Sequence, residues 1–123
     1  MDKHLLIAVF HIIFVVPLFL FVGFQRAATP EWIYNVLFGL GLVVLAYHGA
    51  NSVVRLVANS PGAWINIIHV LIVAPIMLYI GYNGKKTPRP AYEMILMVAF
   101  GALGYHLKNL IITTQTFLKD DDI

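Results

Sequence analysis

The sequence predicts an all-α fold: an integral membrane four-helix bundle made of two tandem two-helix repeats related by a parallel pseudo-two-fold axis. Three observations predict it. Of the 123 residues, 60% are hydrophobic and only 11% charged, too few charges to cover a water-facing surface. Four long apolar segments alternate with short stretches rich in helix breakers. A shift of the chain by 58 residues lays its second half on its first without a gap.

The apolar segments run over Leu5–Phe24, Trp32–Val57, Ala63–Tyr82 and Ala91–Gln115. A hydrocarbon core of roughly 30 Å requires about 20 helical residues, and each segment reaches that length. The first is followed by no small-residue cleavage site and has a partner in the third, so it reads as a helix rather than a signal peptide. The connections "QRAATPE", "ANSPGA" and "GKKTPRP" are short, so sequential helices are expected to pair as antiparallel hairpins, with both termini on one side. The chain is thus a single multi-pass membrane domain, 1–123. Lys3, Arg55, Lys108 and Lys119 fall on the side of the termini, and Arg26, Lys85, Lys86 and Arg89 on the other. That balance leaves orientation open under the positive-inside rule, with only the compact Lys85–Arg89 cluster favouring its loop as cytoplasmic.

At the offset of 58, His11 falls on His69, Val15 on Val73, Pro17 on Pro75, Leu20 on Leu78 and Gly23 on Gly81. Thr29 and Pro30 fall on Thr87 and Pro88, and Tyr34 on Tyr92. Leu45, Tyr47, His48 and Asn51 fall on Leu103, Tyr105, His106 and Asn109. Most of these identities are residue types that membrane helices use sparingly, so they point to duplication, with repeat 1 over about 5–57 and repeat 2 over about 63–115. An even number of spans in each half makes the repeats parallel.

The recurring polar positions are the candidate site. Tyr34, Gly41, His48, Asn51 and Arg55 form one stripe of the second helix, and Tyr92, Ala99, His106, Asn109 and Thr113 the same stripe of the fourth. A polar stripe facing lipid has no hydrogen-bond partners, so both stripes are expected to face the interior and each other. His11 and His69 would join them from the first and third helices, and Asn66, one turn before His69, would add to one side. Counting 1.5 Å per residue from the helix ends puts His11, His69, Asn51 and Asn109 about 9 Å deep and His48 and His106 about 14 Å deep. Pro17 and Pro75, in mid-helix, are expected to kink their helices.

Intramembrane ionisable residues mark functional sites. Imidazole donates and accepts protons near neutral pH, so the cluster His11, His48, Asn51, His69, His106 and Asn109 reads first as a path for protons or a small ion, with Arg55 and Lys108 disfavouring cations. The alternative is a cofactor: haem b or a metal ion held by His48 and His106 or by His11 and His69, with Ala46, Gly49, Ala50 and Gly104 leaving room. A third possibility is that the same groups are interhelical glue. No cysteine is present, no paired carboxylates, nucleophile arrangement or phosphate loop stands out, and no enzymatic activity is expected. A net charge of +2 gives no reason to expect nucleic acid. The partners expected are the lipid bilayer and further copies of the chain, since four helices enclose little volume.

The stretches "NGKKTPRPAYE" and "GYHLKNLI", within the last 45 or so residues, resemble small, uncharacterised membrane proteins of large DNA viruses of algae and protists. That resemblance implies no activity and no site. It would add a structural role in a virion membrane, or the modification of a host membrane, to the functions open to the chain.

Overall fold

The computed structural model describes residues 3–121, which are all-helical apart from short connectors. Four helices are long and apolar enough to cross a membrane: α1 Lys3–Ala28, α2 Glu31–Val57, α3 Ala63–Lys86 and α4 Arg89–Asp121. They overrun the expected segments by a few residues. The Thr-Pro connectors are shorter than expected because α1 and α3 each close with a 3₁₀ turn, Arg26–Ala28 and Gly84–Lys86. Between α2 and α3, Asn59 adopts φ 54° and Ser60 N–H reaches back to the Arg55 carbonyl at 2.8 Å. This left-handed cap, with Pro61 behind it, stops the helix.

The expectation that sequential helices pair as hairpins holds for α2 and α3 and is corrected for the two Thr-Pro hairpins. Helix α1 packs along α4, and α2 along α3, while α1 and α2 barely touch. Close approach at glycine explains the pairing. A Cβ on Gly81 would lie 2.7 Å from the Phe38 backbone, and one on Gly23 would lie 2.5 Å from the Leu96 side chain. Only small residues allow helices so near. Both contacts join the first half of the chain to the second, and corresponding residues of the two, Gly23 and Gly81, Phe38 and Leu96, are 58 apart.

The two helix pairs meet at the connector end. Phe19, Val22, Ile33, Leu37, Ile76, Ile80 and Ile95 form the core there, with Tyr34 and Tyr92 buried among them. The Tyr34 hydroxyl donates to the Arg26 carbonyl at 2.7 Å. The Tyr92 hydroxyl lies 2.7 Å from that of Tyr34 and donates to it, with the Gly84 carbonyl 3.2 Å away as a second acceptor. These bonds tie both 3₁₀ turns to one point.

The expected kinks take a specific form. His11–Val15 and His69–Val73 are π-helical turns, closed by bonds from Val16 N–H to the His11 carbonyl and from Ala74 N–H to the His69 carbonyl. Pro17 and Pro75 follow in the second position of the resumed α-helix. A proline ring crowds the preceding turn of an α-helix, and widening that turn by one residue relieves the clash.

Arg26 holds φ 52° where its counterpart Gly84 holds φ 55°. This conformation suits glycine and costs a side-chain-bearing residue of order 1–3 kcal/mol. Arg26→Gly is expected to stabilise the protein by about 1 kcal/mol and Gly84→Arg to destabilise it by at least as much. Reversible unfolding in mixed micelles, followed by helical circular dichroism, measures both.

Candidate functional site

Away from the connectors the helix pairs part around a cavity of about 920 Å³, with walls from all four helices. Its middle level is a layer of four imidazoles. His11 stacks on His106 with ring centroids 4.1 Å apart, and His48 stacks on His69 at 4.0 Å. His11 and His69 meet across the centre at 6.4 Å with ring planes 84° apart.

The expected stripes line this cavity: His48, Asn51 and Arg55 from α2, and His106, Asn109 and Thr113 from α4. Two expectations about them change. The histidines are not in two tiers, because the stacking puts all four in one layer. Helix ends were a poor ruler: α1 begins at Lys3 and α4 runs on to Asp121, past the ends from which depth was counted. Nor do the stripes of α2 and α4 face each other directly. Each places its histidine against a histidine of its packing partner, α3 or α1, so His48 and His106 form no pair. Helices α2 and α4 meet through the tyrosine hydroxyls at the connector end.

Local hydrogen bonds fix three imidazoles. His11 Nδ1 lies 2.8 Å from the Ile7 carbonyl, and His69 Nδ1 2.7 Å from the Ile65 carbonyl, each one turn back on its own helix. A carbonyl only accepts, so Nδ1 carries a proton, and in the neutral ring Nε2 is the nitrogen that keeps its lone pair. His48 Nδ1 lies 2.8 Å from Asn66 Oδ1 and donates to it. The π turn begins at the residue whose ring is so held, in both α1 and α3.

Asn66 is 3% exposed, and its Nδ2 has no acceptor. Its counterpart 58 residues earlier is Ala8, so this amide breaks the likeness of the two sides. Ser52, also buried, donates to the His48 carbonyl at 2.7 Å. Sequence reasoning passed over Ser52, although its position one turn after His48 was a signal. It also missed Lys3 and His4 at the cavity mouth and the ring contact of Trp64 with Tyr105 at 5.8 Å, which bridges α3 and α4.

Lys3 and Arg55 line the mouth, and no Asp or Glu lines the cavity among the described residues. In a low-dielectric wall that imbalance attracts anions and repels cations. Stacked imidazoles lack the in-plane N–H···N geometry of a direct proton hop, so proton movement between them needs a bridging solvent molecule or solute. Among the described residues no three His, Asp or Glu side chains gather to hold a metal ion.

The hydrogen bonds fix the expected tautomers. In ¹⁵N spectra of histidine-labelled protein, His11, His48 and His69 are expected to carry a proton at Nδ1, and Asn66→Ala is expected to release that preference at His48 alone. No protein-family model, curated protein or solved structure is matched by this chain.

Proposed function

We propose that the chain is a four-span integral membrane protein, built by duplication of a two-helix hairpin, and that its cavity is the solute site of a carrier for small anions taken up with a proton, that is, for weak acids. The observation that carries this reading is a cavity of about 920 Å³ lined by five histidines, four of them in one layer, with Asn51, Asn109, Lys3 and Arg55 and with no carboxylate among the described residues.

The membrane reading is supported by four apolar helices whose outer surface keeps Ile13, Val43, Leu71 and Met97 well exposed, a surface suited to acyl chains rather than water. The duplication is supported by the recurrence, 58 residues apart, of the π turns, the 3₁₀ turns, the histidine–carbonyl bonds and the stacked ring pairs. The connector end is filled by core side chains and the tyrosine pair, so a solute that enters beside the termini stops there, as in a carrier open to one side rather than in an open pore. Imidazoles with free Nε2 lone pairs take up the proton that accompanies the anion.

A second reading, haem b held by His11 and His69, is favoured by one measurement. Their centroid separation of 6.4 Å is close to the roughly 6 Å required when a metal takes two imidazole nitrogens at about 2 Å each. Both rings keep Nε2 available as a ligand.

Proteoliposomes containing the protein are expected to take up formate or acetate at least ten times faster than protein-free vesicles, with luminal acidification and no comparable potassium flux. His11→Leu with His69→Leu is expected to abolish this, and Arg55→Glu to slow the anion several-fold. Failure of the protein to accelerate acid uptake overturns the carrier. A Soret band after purification with added haemin, lost in His11→Leu, would establish the second reading in its place.

A further inference from the structure

The cavity does not end at the imidazoles. It continues toward the connectors for about two helical turns, roughly 10 Å, between Leu18, Leu40, Val44, Val73, Met77 and Val98. That lower chamber offers no polar group. A small hydrophilic anion would use only the upper half, from the basic mouth to the histidine layer.

Resting on the carrier reading above, we propose that the solute is an amphipathic carboxylate, an acid with a medium-length hydrocarbon chain. Its head lies at the histidine layer and its chain in the apolar chamber below. Three independent features select it. The first is the chamber itself, where each buried methylene is favourable. The second is the Asn66 amide at the cavity wall. Its oxygen is used by His48, and its Nδ2 is a buried donor without an acceptor, a group that calls for an oxygen ligand. The third is charge: Lys3 and Arg55 stand at the mouth with no carboxylate in the lining among the described residues, which favours a carboxylate over an alcohol or an amine of equal length. The head and the chain therefore meet different chemistry along one axis, and that order fixes the orientation of the bound molecule.

Trp64 lines the cavity and reports occupancy in a Trp32→Phe protein reconstituted in nanodiscs. Titrations with acetate, butyrate, hexanoate and octanoate are expected to show saturable fluorescence changes, with Kd falling about fourfold for each added CH₂. 1-Octanol and octylammonium are expected to bind at least tenfold more weakly than octanoate. Leu18→Phe, which narrows the chamber without adding a second tryptophan to the reporter, is expected to remove most of the gain of octanoate over acetate. Asn66→Ala is expected to weaken both acids about tenfold. Saturable acetate binding without any gain from chain length overturns the amphiphile and leaves the small-anion carrier standing. Octylammonium binding as tightly as octanoate overturns both. Octanol binding as tightly as octanoate overturns the carboxylate head.

Discussion

The hydroxyl contact between Tyr34 and Tyr92 is the constraint on which the arrangement depends. Two phenols bring two protons to three acceptors: the Tyr34 oxygen, the Arg26 carbonyl and the Gly84 carbonyl. Those carbonyls belong to the tight turns that end α1 and α3, so a single buried point holds all four helices at one level. An apolar interior has no solvent to replace such bonds, which makes loosening them costly. With that end fixed, the helices are free to part at the other. The cavity is the space between two pairs joined at their base.

Positions 58 apart differ around this frame in a way that distinguishes the two sides of the cavity. Ala8 stands opposite Asn66, Leu6 opposite Trp64, and the stacked Phe10 and Phe14 opposite Ile68 and Ile72. The Trp64–Tyr105 contact bridges α3 and α4, and the first half has Leu6 in place of that tryptophan. The polar addition therefore falls on the α3 side of the mouth, and the bulky ones are divided between α1 and α3. A single bound molecule has no two-fold symmetry of its own, and a cavity with one amide on one wall is matched to that.

Much of this was legible in the chain. Hydropathy and breakers placed four helices within a few residues of their observed ends, because lipid-length apolar runs and Thr-Pro punctuation are local signals. The offset of 58 singled out the histidines and tyrosines, and helical periodicity placed the α2 and α4 stripes on inward faces. Partner choice was not legible. Gly23 and Gly81 read as matching small residues, but only the packed structure shows that they admit Leu96 and Phe38, each from the other half of the chain. Ring stacking was hidden for the same reason: helix length gives depth only when the ends are level. The π turns were foreshadowed by the two prolines, although proline alone does not specify which backbone distortion absorbs it.

The crossing of partners, α1 with α4 and α2 with α3, has a bearing on descent. On the proposed duplication, every major lateral contact now made between the halves was once made between separate chains. A lone ancestral hairpin had almost no internal packing to hold its arms together. Its folding unit was therefore a homodimer, and fusion converted an association dependent on concentration into one fixed by covalent linkage. Once fused, the arms no longer had to be identical, and a change such as Ala8 beside Asn66 could enter one copy alone.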